Sequence, residues 1–179
     1  GILHAMLGDK DLAESYFNQT LQIALAQNNK VAEAFAYVSL GDFHIDVKNF
    51  AEALKYYKEA LAMAKYVDAG YSGPKSLFYA NVYSGLGNAH FYMEEYDSAI
   101  VYLLNGYNLA SETNQTTIAA ESADKLSNAF EVKKKPEKAL EYSRIYKSLS
   151  DSLMNEDIVR KVAEMDMQNK FDKLMAEKE

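Results

Sequence analysis

There is no cysteine in the chain. Disulfides, thiolate zinc sites and cysteine nucleophiles are thereby excluded, while the compartment stays open, because a cysteine-free chain is stable in either redox environment. No apolar run approaches the ~20 residues of a membrane span, and no signal peptide stands at the start. A piece of a longer protein would have lost both. Only 2 prolines and 8 glycines occur in 179 residues, and Ala, Leu, Glu, Lys, Tyr and Met are abundant. That mix favours helix over sheet. Positive charge is short as well: 19 Lys and Arg against 26 Asp and Glu leave a net −7. This argues against nucleic acid as a partner of the segment. With 49% hydrophobic residues, one well-packed domain can bury roughly 70% of the unfolded surface.

What is present is a repeated phrase. "NFAEALKYYKEALAMA", Asn49 to Ala64, puts Ala53 and Ala60 where a core helix would usually carry leucine, with Tyr56 and Tyr57 between them. Ala13 is followed four residues on by Phe17, Ala53 by Tyr57, Ala99 by Leu103 and Ala139 by Ser143. The alanines step by 40, 46 and 40 residues. A second phrase precedes each. Tyr37-Val38-Ser39-Leu40-Gly41 leads to His44, Tyr83-Ser84-Gly85-Leu86-Gly87 to His90, and Ala123-Asp124-Lys125-Leu126-Ser127 to Phe130.

These phrases resemble the tetratricopeptide repeat, which carries an aromatic, Leu-Gly and Tyr on a first helix and Ala and Phe on a second. The resemblance covers residues 1 to about 148 and rests on several copies agreeing in phase. It implies an all-α, right-handed solenoid of about four helix-turn-helix repeats, with Gly41 and Gly87 facing Ala53 and Ala99 so that the helix pairs approach closely. Ala139 holds the same place in the fourth repeat, where Ser127 replaces the glycine and Ser143 the aromatic. The usual period is about 34 residues, so the helices are longer by up to ~9 Å. Long repeats of this kind are more similar to those of bacterial peptide-sensing regulators than to those of chaperone cofactors. The 46-residue step also holds a loop, Asp68 to Lys75, broken by Gly70, Gly73 and Pro74.

On this phasing, first helices are expected over about 1–7, 30–47, 75–93 and 115–133. Second helices are expected over about 9–27, 50–67, 96–111 and 136–150. Asp9, Asn49 and Glu95 stand near the starts of second helices, where an acceptor or a negative charge helps. Pro136 suits a first helical turn. Residues 1–148 then form the repeat domain, its first repeat incomplete. Residues 149–179 form a capping or coiled-coil helix with apolar positions at Leu149, Leu153, Ile158, Val162, Met165, Phe171 and Leu174. We expect the chain to be a fragment of something longer.

His4, His44 and His90 share one repeat position, which invites a metal reading. Equivalent positions in neighbouring repeats lie ~10 Å or more apart, whereas zinc needs ligand atoms at ~2 Å. Aromatic-like packing is therefore the expectation, with no metal and no cofactor. No Ser/His/acid set and no phosphate loop falls together, so no catalytic residue is expected.

The resemblance also implies a concave groove lined by first helices. It assigns Val38, Asp42, Ile45 and Asp46 in repeat 2, Ser84, Asn88, Phe91 and Tyr92 in repeat 3, and Asp124, Asn128, Glu131 and Val132 in repeat 4. Asn88 and Asn128 are equivalent, and an asparagine can pair with a peptide backbone of any sequence. The expected partner is a protein or an extended peptide. The acids here do not suit a carboxylate-terminated tail. Finally, "ALEYSRIYKSLSDSLMNED", "VAEM", "KFD" and "EKE" over 137–179 resemble repeat-containing sensors and regulators of Bacteroides-like bacteria. That implies a sensor region outside the membrane, joined to a kinase or DNA-binding domain, with a possible homodimer through the last helix. A free-standing scaffold and a cytoplasmic peptide-pheromone receptor are the alternatives.

Overall fold

The computed structural model describes residues 10–176, with side chains as far as Gln168. The expected helix at 1–7, Gly1, His4 and Asp9 lie outside the described residues, as do the side chains of Phe171 and Leu174. Among the described residues there are eight helices and no strand: α1 Lys10–Ala26, α2 Lys30–Asp46, α3 Phe50–Ala62, α4 Ala64–Gly70, α5 Lys75–Tyr92, α6 Tyr96–Glu112, α7 Thr116–Val132 and α8 Pro136–Ala176. Consecutive helices pack on each other, and α2, α5 and α7 also touch in series. The result is a helical-repeat solenoid whose first helices, α2, α5 and α7, line one side.

The period comes from its turns. Asn28, Lys48, Glu94, Asn114 and Lys134 all take positive φ, between 50° and 62°. Each closes a helix in the same way. At the second of them, Lys48 N–H donates to Ile45 O at 3.0 Å and Asn49 N–H to His44 O at 2.8 Å. Those two bonds satisfy carbonyls that the helix end would otherwise leave unpaired. A 17-residue helix plus a three-residue turn gives 20 residues, and two of them give 40. The 46-residue step keeps the same frame and inserts six residues, used to extend α3 through a tight turn at Met63 into α4.

The alanines answer their own puzzle. Ala53, Ala60 and Ala99 have no exposed surface, and their small size lets helix axes come close. The glycines work one turn away from where the resemblance put them. A Cβ on Gly41 would meet the Tyr57 ring at 2.7 Å, and one on Gly87 would meet Leu103 Cγ at 2.5 Å. Each glycine thus accommodates the large side chain four residues beyond the alanine, not the alanine itself. Tyr57, 1% exposed, is gripped on its other side by Gly85, whose Cβ would stand 2.2 Å from the ring. One ring thereby locks two successive repeats. The main core joins α2 to α5 through Ala34, Val38, Ala53, Tyr57, Val67, Phe78, Val82 and Leu86. A second core joins α6, α7 and α8 through Leu103, Leu126, Phe130 and Tyr142.

Several expectations need correction. Asn49 and Glu95 hold N-cap positions but make no side-chain cap bond; their ψ of 70° and 61° falls short of the extended backbone that lets a cap reach back. Asn29, with ψ of 90°, does cap, accepting from Ala32 N–H at 3.0 Å. The helices expected at 136–150 and 149–179 are one continuous helix, because no breaker interrupts Pro136–Ala176. At 41 residues it is roughly 60 Å long. Leu149 and Leu153 are half-buried, whereas Met154, Ile158, Val162 and Met165 beyond them are exposed. No helix among the described residues is long and apolar enough to cross a membrane.

Candidate functional site

The side formed by α2, α5 and α7 contains a cavity of about 330 Å³. Its walls are Asp42, Ile45 and Asp46 from the last turns of α2, Asn81, Ser84, Gly85 and Asn88 from the middle of α5, and Thr117, Ile118 and Glu121 from the first turns of α7. Tyr57 of α3 closes the floor. The cavity therefore runs obliquely across three repeats, from the end of one first helix to the start of another.

Of the residues assigned to the groove from sequence, Asp42, Ile45, Asp46, Ser84 and Asn88 line this cavity. Ser84 is part of its buried floor: it is 7% exposed, and its hydroxyl shares a hydrogen bond with that of Ser122 at 2.9 Å. Val38 is not in the groove at all. It is buried in the main core, because the residue three before the glycine turns toward the second helix. Tyr92, Asp124, Asn128 and Glu131 lie outside the cavity lining. Tyr92 is exposed and stacks on Phe50 at 4.7 Å. Asp124 pairs with Lys125 at 2.8 Å and accepts from Asn128 Nδ2 at 3.4 Å. Glu131 and Val132 are exposed. Phe91 packs against the second core.

Three lining residues escaped the sequence reading: Asn81, Thr117 and Glu121. Asn81 and Glu121 each stand seven residues, two helical turns, before the equivalent Asn88 and Asn128. The oblique path of the cavity brings that earlier position to the surface. A seven-residue step back from each asparagine was the available signal.

The chemistry is that of carboxylates and amides. Tyr57 Oη donates to Asp42 Oδ1 at 2.6 Å. Asp42 and Glu121 are open to the water of the groove, yet the surrounding walls crowd their carboxyl groups. That partial desolvation is the main reason the Asp42 pKa is pushed up to about 6. The Tyr57 hydrogen bond opposes the rise, and the charges of Asp46 and Glu121 add to it. Glu121 is also raised, first by burial and then by Asp46, against the pull of Lys125. Asn81 Nδ2 donates to Leu77 O at 2.9 Å. Asn88 Oδ1 has no hydrogen-bond partner and no exposed surface.

The histidines are in a different layer. His44 stacks on Tyr56 at 5.2 Å and His90 on Tyr102 at 5.3 Å. Each fills the wedge between the helices of its own repeat. His90 Nδ1 also meets Glu95 Oε2 at 2.5 Å, which explains why Glu95 does not cap its helix. Among the described residues no three His, Asp or Glu side chains are placed to hold a metal ion.

No curated protein matches the chain. A family model for the tetratricopeptide repeat matches residues 1–66. Repeats of that family generally serve as non-catalytic surfaces for binding proteins. Together with the helix pairs described above, the match supports reading this chain as a tetratricopeptide repeat protein.

Proposed function

We propose that the chain is a non-enzymatic module that holds an extended segment of a partner protein along α2, α5 and α7. The observation that carries this reading is the cavity, whose size falls in the range of ordinary ligand sites. It is lined on one side helix after another by groups that recognise a backbone. Asn81 and Asn88 each offer donor and acceptor functions, which suits a peptide main chain of any sequence. The trough continues past Tyr92 to Asp124, Asn128 and Glu131 in this reading. The net charge of −7 weighs against a nucleic-acid ligand.

The test is a random peptide display selection against the whole chain, repeated with Asn88→Trp. The indole would fill much of the cavity from a partly exposed position without touching the cores. Peptides selected on the wild type should fail to bind the variant. If they bind both equally, the partner surface lies elsewhere.

A second element of the reading is relay. We infer that the module is the sensing part of a larger signalling or regulatory chain, and that α8 passes on the bound state by pairing with a second copy. The exposed stripe of α8 supports this, with Ile158 at 52%, Val162 at 54% and Met165 at 66% exposure. Its opposite face carries mixed charges, among them Asp157 paired with Lys161 at 2.8 Å. Methionine-rich stripes repack readily. Sedimentation equilibrium should detect weak self-association that Val162→Asp with Met165→Asp abolishes. A strict monomer at high concentration refutes the relay.

A further inference from the structure

We propose that the cavity between α2, α5 and α7 is built to seat a basic side chain, lysine or arginine, of the bound segment. The proposal rests on the peptide-binding reading and adds its chemical specificity. Three carboxylates, Asp42, Asp46 and Glu121, come from two different first helices and face one space of about 330 Å³. No lining residue is basic. The cation nearest in effect, Lys125, is already engaged: it pairs with Asp124 at 2.8 Å and lies over the rings of Phe91 and Tyr92 at 5.8 and 5.7 Å.

The amides point the same way. Asn81 spends a donor on Leu77 O, so its oxygen is still available as an acceptor. Asn88 Oδ1 is sealed from solvent without a partner. An orphaned acceptor of that kind is costly, and a rotation that carries it onto a donor inside the cavity removes the cost. The site is thus rich in unused acceptors and lacks a cation to use them. Bringing like charges together raises the energy of the empty cavity, and a cation relieves it.

The form of the cation follows from the spacing. The carboxylates are not close enough to share a metal ion. They suit a longer group that spreads several N–H donors, as an ammonium or guanidinium does. Ile45 and Ile118 supply apolar wall for the methylene stem of such a side chain. Free metal and phosphate ligands fit neither the spacing nor the sign.

The test uses synthetic peptides taken from a random display selection on the full chain, labelled for fluorescence polarisation. The expected result is a lysine or arginine shared among the selected peptides. Replacing it with norleucine or citrulline, which keep the length and remove the charge, should weaken binding at least about tenfold. In Asp42→Asn/Asp46→Asn/Glu121→Gln, checked for an unchanged thermal melt, the charged and neutral peptides should bind alike. Should the triple variant melt early, Asp46→Asn alone is used, with the same expected narrowing of the gap. Selected peptides that lack a basic residue, or that tolerate its replacement, overturn the proposal and leave the groove reading standing. Absence of any binding peptide overturns both. If arginine amide or spermidine alone binds as tightly as the peptide, the cavity takes small cations and the protein-borne side chain is refuted.

Discussion

Gly85→Ala should destabilise the fold, although the same change on an exposed helix surface stabilises it. Alanine is worth about 1 kcal/mol over glycine inside a helix. At this position the new Cβ would stand 2.2 Å from Tyr57 Cζ and 2.3 Å from Cε1, more than 1 Å inside an ordinary carbon contact of about 3.5 Å. The ring has nowhere to go. Its other face meets Gly41, where even an added Cβ would lie at 2.7 Å, and its hydroxyl is tied to Asp42 at 2.6 Å. Overpacking of a rigid core costs about 1–3 kcal/mol, and the two-sided grip places this site at the upper end. Subtracting the helix gain leaves a net loss of about 2 kcal/mol, or ~4–8 °C in Tm for a chain of this length. Circular dichroism melts of the wild type and variant give the number. The cause is checked by a double-mutant cycle with Tyr57→Leu, in whose background Gly85→Ala should be neutral or stabilising. A Gly85→Ala protein that melts at or above the wild type would refute the claim that this ring locks two repeats.

The remaining predictions are these. Gly87→Leu should cost about 3 kcal/mol or more, because the new side chain meets the Leu103 backbone N at 2.9 Å as well as its side chain; a melt unchanged by it contradicts the packing of α5 on α6. Lys48→Gly should stabilise by about 0.5–1 kcal/mol, since Lys48 holds φ at 62°, a region that costs a side-chain-bearing residue energy and glycine none; chemical denaturation midpoints measure it. Asp42 carries its raised pKa only in the folded state, so the fold binds its proton more tightly than the unfolded chain. Its contribution to stability is therefore fully present below pH ~3.8 and is lost as pH rises through about 6. Water reaches the carboxyl, which limits the effect to no more than about 1 kcal/mol. Urea midpoints at pH 5 and 7 should show Asp42→Asn gaining on the wild type at pH 7 and not at pH 5; equal differences at both would contradict the shift.

The repeat was legible because it rests on residue size. Ala53, Ala60, Ala99 and Gly87 can only be small where two helices meet, and their 40-residue step is written in the sequence. The turns were harder. Lys48, Glu94 and Lys134 adopt a backbone region that normally announces itself with glycine, and only their 20-residue spacing betrays them. The glycine partners were misjudged by one helical turn because small residues attract each other on paper, whereas a gap in one helix exists to take a large side chain from the next. The cavity was half legible. Repeat equivalence brought Asp42, Asp46 and Asn88 forward, since those residues share a register. It could not supply Asn81 and Glu121, which enter only because successive first helices are offset and the cavity runs across them at a slant. The same offset leaves Asn128 and Glu131 beyond its rim. Ser84 shows a further limit: a polar residue in groove register can still spend its hydroxyl on a neighbour, here Ser122, in the floor.

The measurement that most directly tests the account is a nuclear magnetic resonance footprint of a display-selected peptide on the labelled chain. The side-chain amides of Asn81 and Asn88 and the backbone amides around Asp46, Thr117 and Glu121 should shift together as peptide is added, with α3 and α6 changing less. Shifts that cluster on the outer faces of α3 and α6, or along α8 beyond Leu153, with Asn81 and Asn88 unmoved, would contradict it.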